Sequence, residues 1–218
     1  MKKLIVIFSI LLINISFAQE QQVKPAFSTL RYGFLAGISS GTASNTSGIV
    51  LAELSSNLIY DFGVKLSFGY LTASQPKDYT VNTYYEAYNN NKVIYTAETY
   101  QVYKNGYDIF PVSLGVEYKF ENSFISPYLS ASVDYNFLIG KVYKASGSEE
   151  MTFYSSKSEV PDKYKVNFNL LPDHSFGISF GAGAAYSLSS KINLEIRYLY
   201  KIDSKIINTN NIVVGISF

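Results

Sequence analysis

The sequence predicts an all-β fold: a transmembrane eight-stranded antiparallel up-and-down β-barrel with long extracellular loops. Apolar and polar residues alternate with a period of two through most of the chain, as in strands with one apolar and one polar face. Several of these segments are about ten residues long, which is the length of a membrane-crossing strand, whereas strands in soluble sheets average ~5–6 residues. The connections alternate between short and long, which is typical of transmembrane barrels.

The N-terminal residues have the pattern of an export signal. Lys2 and Lys3 precede the apolar run Leu4 to Ile15, and Ser16-Phe17-Ala18 offers a small-x-small cleavage site before Gln19. The apolar run is too short for a permanent membrane helix, which needs ~20 residues. We therefore expect three parts: a cleaved signal peptide at 1–18, a short periplasmic N-terminal segment at 19–30 and the barrel at 31–218.

Composition narrows the classes of function. The 218 residues contain no cysteine, which excludes disulfides, thiol nucleophiles and thiolate metal sites. The net charge of +1 gives no reason to expect a nucleic-acid partner, which would need a basic patch. The 20 tyrosines and 15 phenylalanines favour strands.

Eight segments carry the alternation, and an even number of strands places both ends of the barrel on the periplasmic side. The segments lie at about 31–38, 47–54, 60–70, 110–120, 125–137, 175–188, 192–200 and 211–218. The predicted tight connections are 55–57, 121–123 and 189–190. The predicted long connections are 40–46, 72–107, 140–172 and 202–210.

The apolar face of these strands carries aromatic residues near both ends, as in the two aromatic belts of a membrane protein. The periplasmic group is Tyr60, Phe62, Tyr118, Phe120, Tyr186 and Phe218, and the outer group is Phe68, Tyr70, Phe110, Phe137, Phe176 and Tyr200. An eight-stranded barrel is only wide enough to hold side chains, so its interior has no room for a dozen large rings. We therefore expect a polar lumen and an apolar, lipid-facing outer surface.

The polar face carries charged residues, which we expect to lie in the lumen. They are Arg31, Glu53, Asp61, Lys65, Glu117, Lys119, Asp134, Glu195 and Arg197. A buried unpaired charge is costly, so these side chains should pair. We expect a network that joins Asp61, Lys65, Glu117, Lys119, Glu195 and Arg197. Its favoured role is structural, filling and stiffening the barrel, and the alternative is a proton or ion relay.

Three segments resemble a known family. The run from Asp108 to Phe120 is similar to a strand of small Bacteroidota outer-membrane β-barrel proteins, the porin-family or PorT-like group, and Ser16-Phe17-Ala18-Gln19 resembles the signal ends of that phylum. The segment from Asn211 to Phe218 resembles the terminal strand that the barrel-assembly machinery recognises, with Phe218 as the assembly signal. The resemblance implies an eight-stranded barrel in the cell outer membrane. It implies no settled common activity and no catalytic residues.

Enzyme chemistry is not predicted. The only histidine, His174, lies between Asp173 and Ser175, but adjacent strand residues point to opposite faces and do not form a triad. Gly181 and Gly183 lie inside a strand with no helix after them, which argues against a nucleotide-binding loop. We therefore expect no catalytic residue, no cofactor and no metal site.

The first long connection is rich in tyrosine and gives two readings that can hold together. In one, its tyrosines form a binding surface on a rigid scaffold. In the other, Thr80 to Tyr88 and Val93 to Tyr103 form a hairpin that extends the barrel above the membrane. The tyrosines of the candidate surface are Tyr79, Tyr84, Tyr85, Tyr88, Tyr95, Tyr100 and Tyr103.

The function we favour from sequence is a non-enzymatic outer-membrane protein acting in surface interaction or envelope integrity. The alternative is an accessory component of a secretion or assembly machinery, as in the PorT-like group, and a narrow solute channel is less favoured. The expected partners are outer-membrane lipid, the barrel-assembly machinery during biogenesis, and an extracellular or envelope protein.

Overall fold

The computed structural model describes residues 26–41, 46–59, 61–89, 92–120, 125–147, 149–165 and 171–218. The strands are β1 Leu30–Gly41, β2 Thr46–Ile59, β3 Phe62–Asn89, β4 Lys92–Lys119, β5 Ile125–Lys144, β6 Glu150–Tyr154, β7 His174–Ser187, β8 Asn193–Asp203 and β9 Thr209–Ser217. Two short 3₁₀ helices cover Lys157–Glu159 and Asp162–Tyr164. Neither is long and apolar enough to cross a membrane. The predicted signal peptide, Tyr60 and the predicted turn 121–123 lie outside the described residues.

Eight of the strands close into a barrel. Going round it, the order is β1, β2, β3, β4, β5, β7, β8 and β9, and every neighbouring pair is antiparallel. The ring closes where Gly33 of β1 pairs with Ser217 of β9. The predicted eight-stranded up-and-down barrel is therefore confirmed. The ninth described strand, β6, lies outside the ring and pairs with β4 alone among the described strands.

The two faces of the barrel wall have the predicted polarity. On β1, Phe34 and Ile38 are more than half exposed on the outer surface, whereas Leu35 and Ser39, the residues that follow them, are buried inside. The same alternation of exposed apolar and buried residues runs through β4, β5 and β9. An exposed apolar band that runs round the wall is typical of a surface that contacts a membrane.

Aromatic pairs mark both ends of the apolar band. Towards the periplasm, the ring centroids of Phe62 and Tyr118 lie 4.9 Å apart. At the outer end, those of Tyr70 and Phe110 lie 5.2 Å apart. Just beyond Phe110 on the same face, Lys141 Nζ donates to Asp108 Oδ2 at 2.6 Å. This ion pair places the outer boundary of the hydrocarbon between Phe110 and Asp108.

Several strands are longer than the sequence predicted. The connection predicted at 72–107 is mostly strand, because β3 and β4 each run for 28 residues and pair from Phe62↔Tyr118 to Asn89↔Lys92. The register shifts once along this pair, between Pro76 and Tyr79. The hairpin reading of this segment is thus correct, and residues 90–91 between the two strands lie outside the described residues.

Two predicted connections were wrong because hydroxyl and amide residues continue the strands. The tight turn predicted at 55–57 is strand, since Ser55 and Ser56 of β2 pair with Lys65 and Val64 of β3. The long loop predicted at 40–46 is short, since Ser40 pairs with Thr46 and only 42–45 lie between the two strands.

A charge on the lipid-facing wall should destabilise the barrel. Leu114 lies midway between the aromatic ends of β4 and is 57% exposed. We expect Leu114→Arg to lower the free energy of unfolding by ~2–4 kcal/mol, the cost of an arginine near the bilayer midplane. Urea unfolding in phospholipid vesicles measures it. The control, Tyr103→Arg above the hydrocarbon boundary, should change little, and equal effects of the two variants would contradict the lipid-facing assignment.

Candidate functional site: the lumen and the extracellular tip

Arg197 of β8 is the centre of the charge network in the lumen. It is 2% exposed, and its guanidinium donates to both carboxylate oxygens of Glu53 on β2, at 2.6 and 2.8 Å. The Nε atom donates to Tyr128 Oη at 2.7 Å, and Nη2 also donates to Glu195. Such two-pronged arginine–carboxylate pairs combine strength with fixed geometry. Arg197 therefore ties β2, β5 and β8 together across the lumen.

Lys65 and Glu117 extend this network to β3 and β4. Lys65 Nζ lies 3.9 Å from Glu53 and 3.7 Å from Glu117, and Lys119 Nζ donates to Glu117 at 2.8 Å. The network thus joins three acids to three bases, so its formal charge is zero. Neutral pairing offsets the cost of taking the charges out of water. Five of the six predicted members, all except Asp61, are therefore brought together, and Glu53 joins them.

Three predicted lumenal charges lie apart from this network. Asp134 is buried further towards the outside, where Lys201 Nζ lies 3.3 Å from it and the Ser179 hydroxyl donates to it. Asp61 lies in the turn before β3, where its carbonyl accepts from the Lys119 amide at 3.0 Å and its side chain bonds that of Tyr118. Arg31 is exposed at the periplasmic end of β1 and makes no ion pair with a described residue. Asp61 and Arg31 lie at the periplasmic end of the barrel, where water can solvate their charges, so burial does not force them to pair within the network.

The periplasmic mouth of the lumen is a polar cavity of about 190 Å³. Arg31, Asp61, Glu117, Lys119 and Glu195 contribute its charged lining. Serine and asparagine side chains fill the spaces between them, among them Ser55, Asn57, Ser126, Ser187 and Asn193. The charge network forms the floor of this cavity, so a solute that entered from the periplasm would meet Glu117 and Glu195.

The outer half of the lumen contains an apolar cluster, which the sequence reading did not predict. Its inward-facing cluster consists of Leu35, Ile49, Leu51, Leu71, Ala73, Tyr107, Ile109, Leu138, Leu199 and Val213 with Ile207 from the loop before β9. The predicted polar lumen therefore also holds an apolar cluster near its outer end, beside the buried side chains of Asn136, Ser175 and Asn211. Apolar inward residues gather near the outer strand ends, where connecting segments cover them: Leu171 and Ile206 pack on the cluster.

Asp203 fixes the loop that closes this cluster. Its Oδ1 accepts from the amides of Lys205 and Ile206 at 2.8 and 2.9 Å. Its Oδ2 accepts from Asn136 and Ser175 at 2.7 and 2.6 Å. Sequence reasoning missed Asp203 and also Tyr128. Alternation could have predicted that both face the lumen, because Asp203 lies an even number of residues from Arg197 on its strand, and Tyr128 an even number from Asp134.

Above the hydrocarbon boundary, the chain builds a small sheet that we call the tip: residues 79–103 of β3 and β4, with β6 and the 3₁₀ helices. One face of the tip buries Val81, Tyr100 and Val102. The opposite face buries Ala97 under Val160 and Tyr164. Apolar side chains are therefore buried on both faces of the tip sheet.

The seven tyrosines of the predicted binding surface are divided by this packing. Tyr100 is only 7% exposed, and Tyr79, Tyr84 and Tyr95 pack against the two tip clusters. Placing Tyr100 on a surface was wrong, because the hairpin turns its side chain into the tip. The exposed members are Tyr85, Tyr88 and Tyr103.

An ion pair joins the tip to β5. Glu98 is buried, and Lys144 Nζ contacts its carboxylate, lies 3.0 Å from Glu149 and sits 4.3 Å from the ring centre of Tyr100. The hydrogen bond to Glu98 raises the pKa of the Lys144 amino group. The ion pair therefore favours the charged form of Lys144.

Exposed apolar side chains lie side by side on one face of the tip. The registers place Tyr85, Thr96 and Phe153 in one row across β3, β4 and β6. Met151 lies opposite Glu98 in the next row. Tyr85, Met151 and Phe153 are 45%, 49% and 66% exposed, whereas Thr96 between them is buried. We call these three exposed side chains the apolar patch.

His174 does not assemble a catalytic triad with its neighbours. Its Nδ1 lies 2.5 Å from Asp173, and its ring stacks on Tyr135 with the centroids 6.0 Å apart. Ser175 points into the lumen and donates to Asp203. The histidine and the serine therefore lie on opposite faces of β7, as strand alternation requires.

Comparisons with known proteins agree on the kind of fold. Residues 8–218 match the model of a family described as "Outer membrane protein beta-barrel domain". The structure is similar to Neisserial surface protein A (NspA), at 13% identity and a TM-score of 0.48, covering 90% of this chain and 98% of that one. It is similar to Ail, the attachment invasion locus protein of Yersinia pestis, at 11% identity and a TM-score of 0.44, covering 89% of this chain and 100% of that one. It is also similar to OprG from Pseudomonas aeruginosa, at 12% identity and a TM-score of 0.43, covering 86% of this chain and 92% of that one. No curated protein matches the chain.

Removing Arg197 should destabilise the barrel strongly. Arg197→Met leaves Glu53 and Glu195 without their main partner, and breaking a buried pair from one side costs ~3–5 kcal/mol. Urea unfolding in vesicles measures the loss. Glu53→Gln combined with Arg197→Met should recover part of it, whereas Arg197→Lys should not, because an ammonium cannot replace the two-pronged contact. A wild-type unfolding curve for Arg197→Met would contradict the central role of this residue.

The filled lumen should conduct no ions. Above the network, two cavities bounded by described residues hold about 20 Å³ each, room for about one water molecule. We expect planar-bilayer recordings of the wild-type barrel to show no conductance steps. Leu71→Ala combined with Leu199→Ala, which opens the apolar cluster, is the positive comparison. Stable conductance steps from the wild type would show that the lumen is not sealed.

Proposed function

Because the chain belongs to the outer membrane protein beta-barrel domain family, we propose that this outer-membrane protein is a non-enzymatic surface protein whose tip binds a macromolecule outside the cell. The barrel anchors and orients the tip. The lumen supplies rigidity through the Arg197 network. The observation that carries the proposal is the apolar patch on a folded tip that stands clear of the membrane.

The reach of the tip supports this role. Residues 74–89 of β3 span ~50 Å along the strand, at ~3.3 Å per residue. The headgroup layer adds only ~5–8 Å to each side of the hydrocarbon. Even a tilted strand therefore carries Tyr85 well beyond the lipid. A patch at this height is accessible to large partners.

The character of the patch also supports binding. Aromatic residues and methionine are enriched at protein interfaces. Tyr85, Met151 and Phe153 come from two strands that pair with the same central strand, so their spacing is fixed by backbone hydrogen bonds. A partner would meet a preformed surface and would not have to order a loop.

A second candidate function is an accessory role in a secretion or assembly machinery. The polar cavity at the periplasmic mouth favours it, since Arg31 and Lys119 are available there to a periplasmic protein. The resemblance of Asp108 to Phe120 to the PorT-like group of Bacteroidota points the same way. Co-purification with envelope proteins that is lost on Arg31→Glu would favour this role over the first. A cleaved signal peptide ending at Ala18 remains a prediction common to both.

The apolar patch should be required for attachment. We expect cells that display Tyr85→Ser with Phe153→Ser to attach to protein-coated surfaces about tenfold less than wild-type cells, the equivalent of ~1.4 kcal/mol. The control is Tyr103→Ser with Tyr143→Ser, which removes two comparably exposed rings near the membrane. The heat-shifted gel band of a closed barrel shows that each variant is folded. Attachment equal to that of the wild type for the patch variant would refute the proposal.

A further inference from the structure

Above the membrane, β3 pairs with a described strand on one side only. Within the barrel β3 lies between β2 and β4, but its pairing with β2 ends at Ile49↔Leu71. From Tyr79 to Asn89, β3 pairs continuously with β4 on one side. Among the described residues, no strand pairs with its other side over this stretch. The tip therefore presents an open strand edge about eleven residues long.

The register shows which peptide groups point out of this edge. The Ala145 amide donates to the Gln101 carbonyl at 2.8 Å, so the backbone groups of Gln101 point away from β3. Thr80 is the partner of Gln101. In an antiparallel pair, the backbone N–H and C=O groups of both residues either face each other and exchange hydrogen bonds, or face away from each other. Thr80 therefore directs its N–H and C=O to the open edge. Alternation extends this to Asn82, Tyr84 and Glu86.

The edge lacks the usual protection against pairing. Natural sheets protect exposed edges with proline, lysine, bulges or very short strands. Between Tyr79 and Asn89 there is no proline and no lysine, and the only charge is Glu86. The residues there are mainly threonine, tyrosine and valine, which favour strands. The bulge at Pro76 lies below this stretch and leaves it regular.

We propose that the open edge of β3, from Thr80 to Glu86, binds an extended polypeptide segment of a partner protein as an added β-strand. A row of N–H and C=O groups at strand spacing is complemented only by another extended backbone. This inference rests on the proposed function and names the partner class and the binding mode of the tip.

The side chains beside the edge define the segment further. Tyr85 is 45% exposed and projects from the face that carries the apolar patch. An aromatic or β-branched residue of the added strand would lie against it as a cross-strand pair. Glu86 projects on the other face and favours a basic residue opposite. The partner segment thus alternates apolar and polar residues and carries at least one positive charge.

The geometry of the membrane favours a partner protein over a second copy. In every copy in one membrane, β3 runs outwards, so two such edges could pair only in parallel, which is the less stable arrangement. A flexible segment from another protein can approach antiparallel. It can also meet the apolar patch next to the edge.

The test uses the full chain in detergent micelles and a synthetic ten-residue peptide of alternating valine and threonine with a central lysine. Bound peptide should slow amide hydrogen exchange at Thr80, Asn82, Tyr84 and Glu86, while Thr83 and Tyr85, already paired with β4, stay unchanged. The same peptide N-methylated at alternate residues should not bind. Exchange at the edge amides that does not change on binding would overturn the proposal.

A proline in place of Glu86 removes the N–H that points to the open edge and leaves the pairing of β3 with β4 undisturbed. We expect Glu86→Pro to weaken peptide binding at least about tenfold, as loss of hydrogen bonds and of edge geometry implies. Glu86→Thr, which keeps the N–H, is the matched control and should bind within a few fold of wild type. Thr80→Pro repeats the test should Glu86→Pro not give a heat-shifted barrel. Equal affinities for the proline and threonine variants would refute edge binding.

The attachment assay separates the two proposals. Loss of attachment in both Glu86→Pro and the patch variant supports both. Loss in the patch variant alone overturns edge binding and leaves the proposed function standing. Attachment unaffected by either overturns both. Concentration-dependent self-association of the wild type, abolished by Glu86→Pro, would assign the edge to a second copy and overturn the partner assignment.

Discussion

Hydrocarbon offers no hydrogen-bonding partner to a peptide group, and this constraint accounts for most of the structure. Inside the membrane, every strand must have a neighbour on both sides, which forces the ring to close at β1 and β9. Closure leaves a narrow interior that side chains must fill. Above the boundary marked by Asp108 and Lys141, water satisfies the backbone. Only there can β3 keep an unpaired edge and β6 lie outside the ring.

The interior is filled in two ways. Near the periplasm, Arg197 holds Glu53, Glu195 and Tyr128 in a hydrogen-bonded group. Lys65, Glu117 and Lys119 bring the formal charge of the whole network to zero. Near the outside, leucine, isoleucine and valine side chains meet under a loop fixed by Asp203. The polar filling borders the periplasmic mouth, whereas the apolar filling lies under the covering segments, beside the hydrogen-bonded group of Asn136, Ser175 and Asp203. The two fillings give one rigid wall that carries the tip.

The sequence predicted the strands and their faces because a period of two leaves no ambiguity about which side chains share a face. It could not predict contacts across the lumen: Arg197 and Glu53 are 144 positions apart, and their meeting depends on registers that alternation does not reveal. It also missed where strands end, since Ser55 and Ser56 suit turns and strands equally. The burial of Tyr100 required the hairpin register, which sets the side that each tyrosine takes.

The lumen narrows sharply above the charge network, so the barrel resembles a cup whose wide side is the periplasmic mouth. Glu117, Lys119 and Glu195 line the periplasmic mouth, whereas Leu71, Leu199 and Ile207 lie on the far side of the charge network. The charged floor of the cup therefore experiences the acidity and salt of the cell's own envelope. The tip, on the far side of the same wall, experiences those of the surroundings. The single pair of strands β3 and β4 therefore reaches from one of these ionic environments to the other.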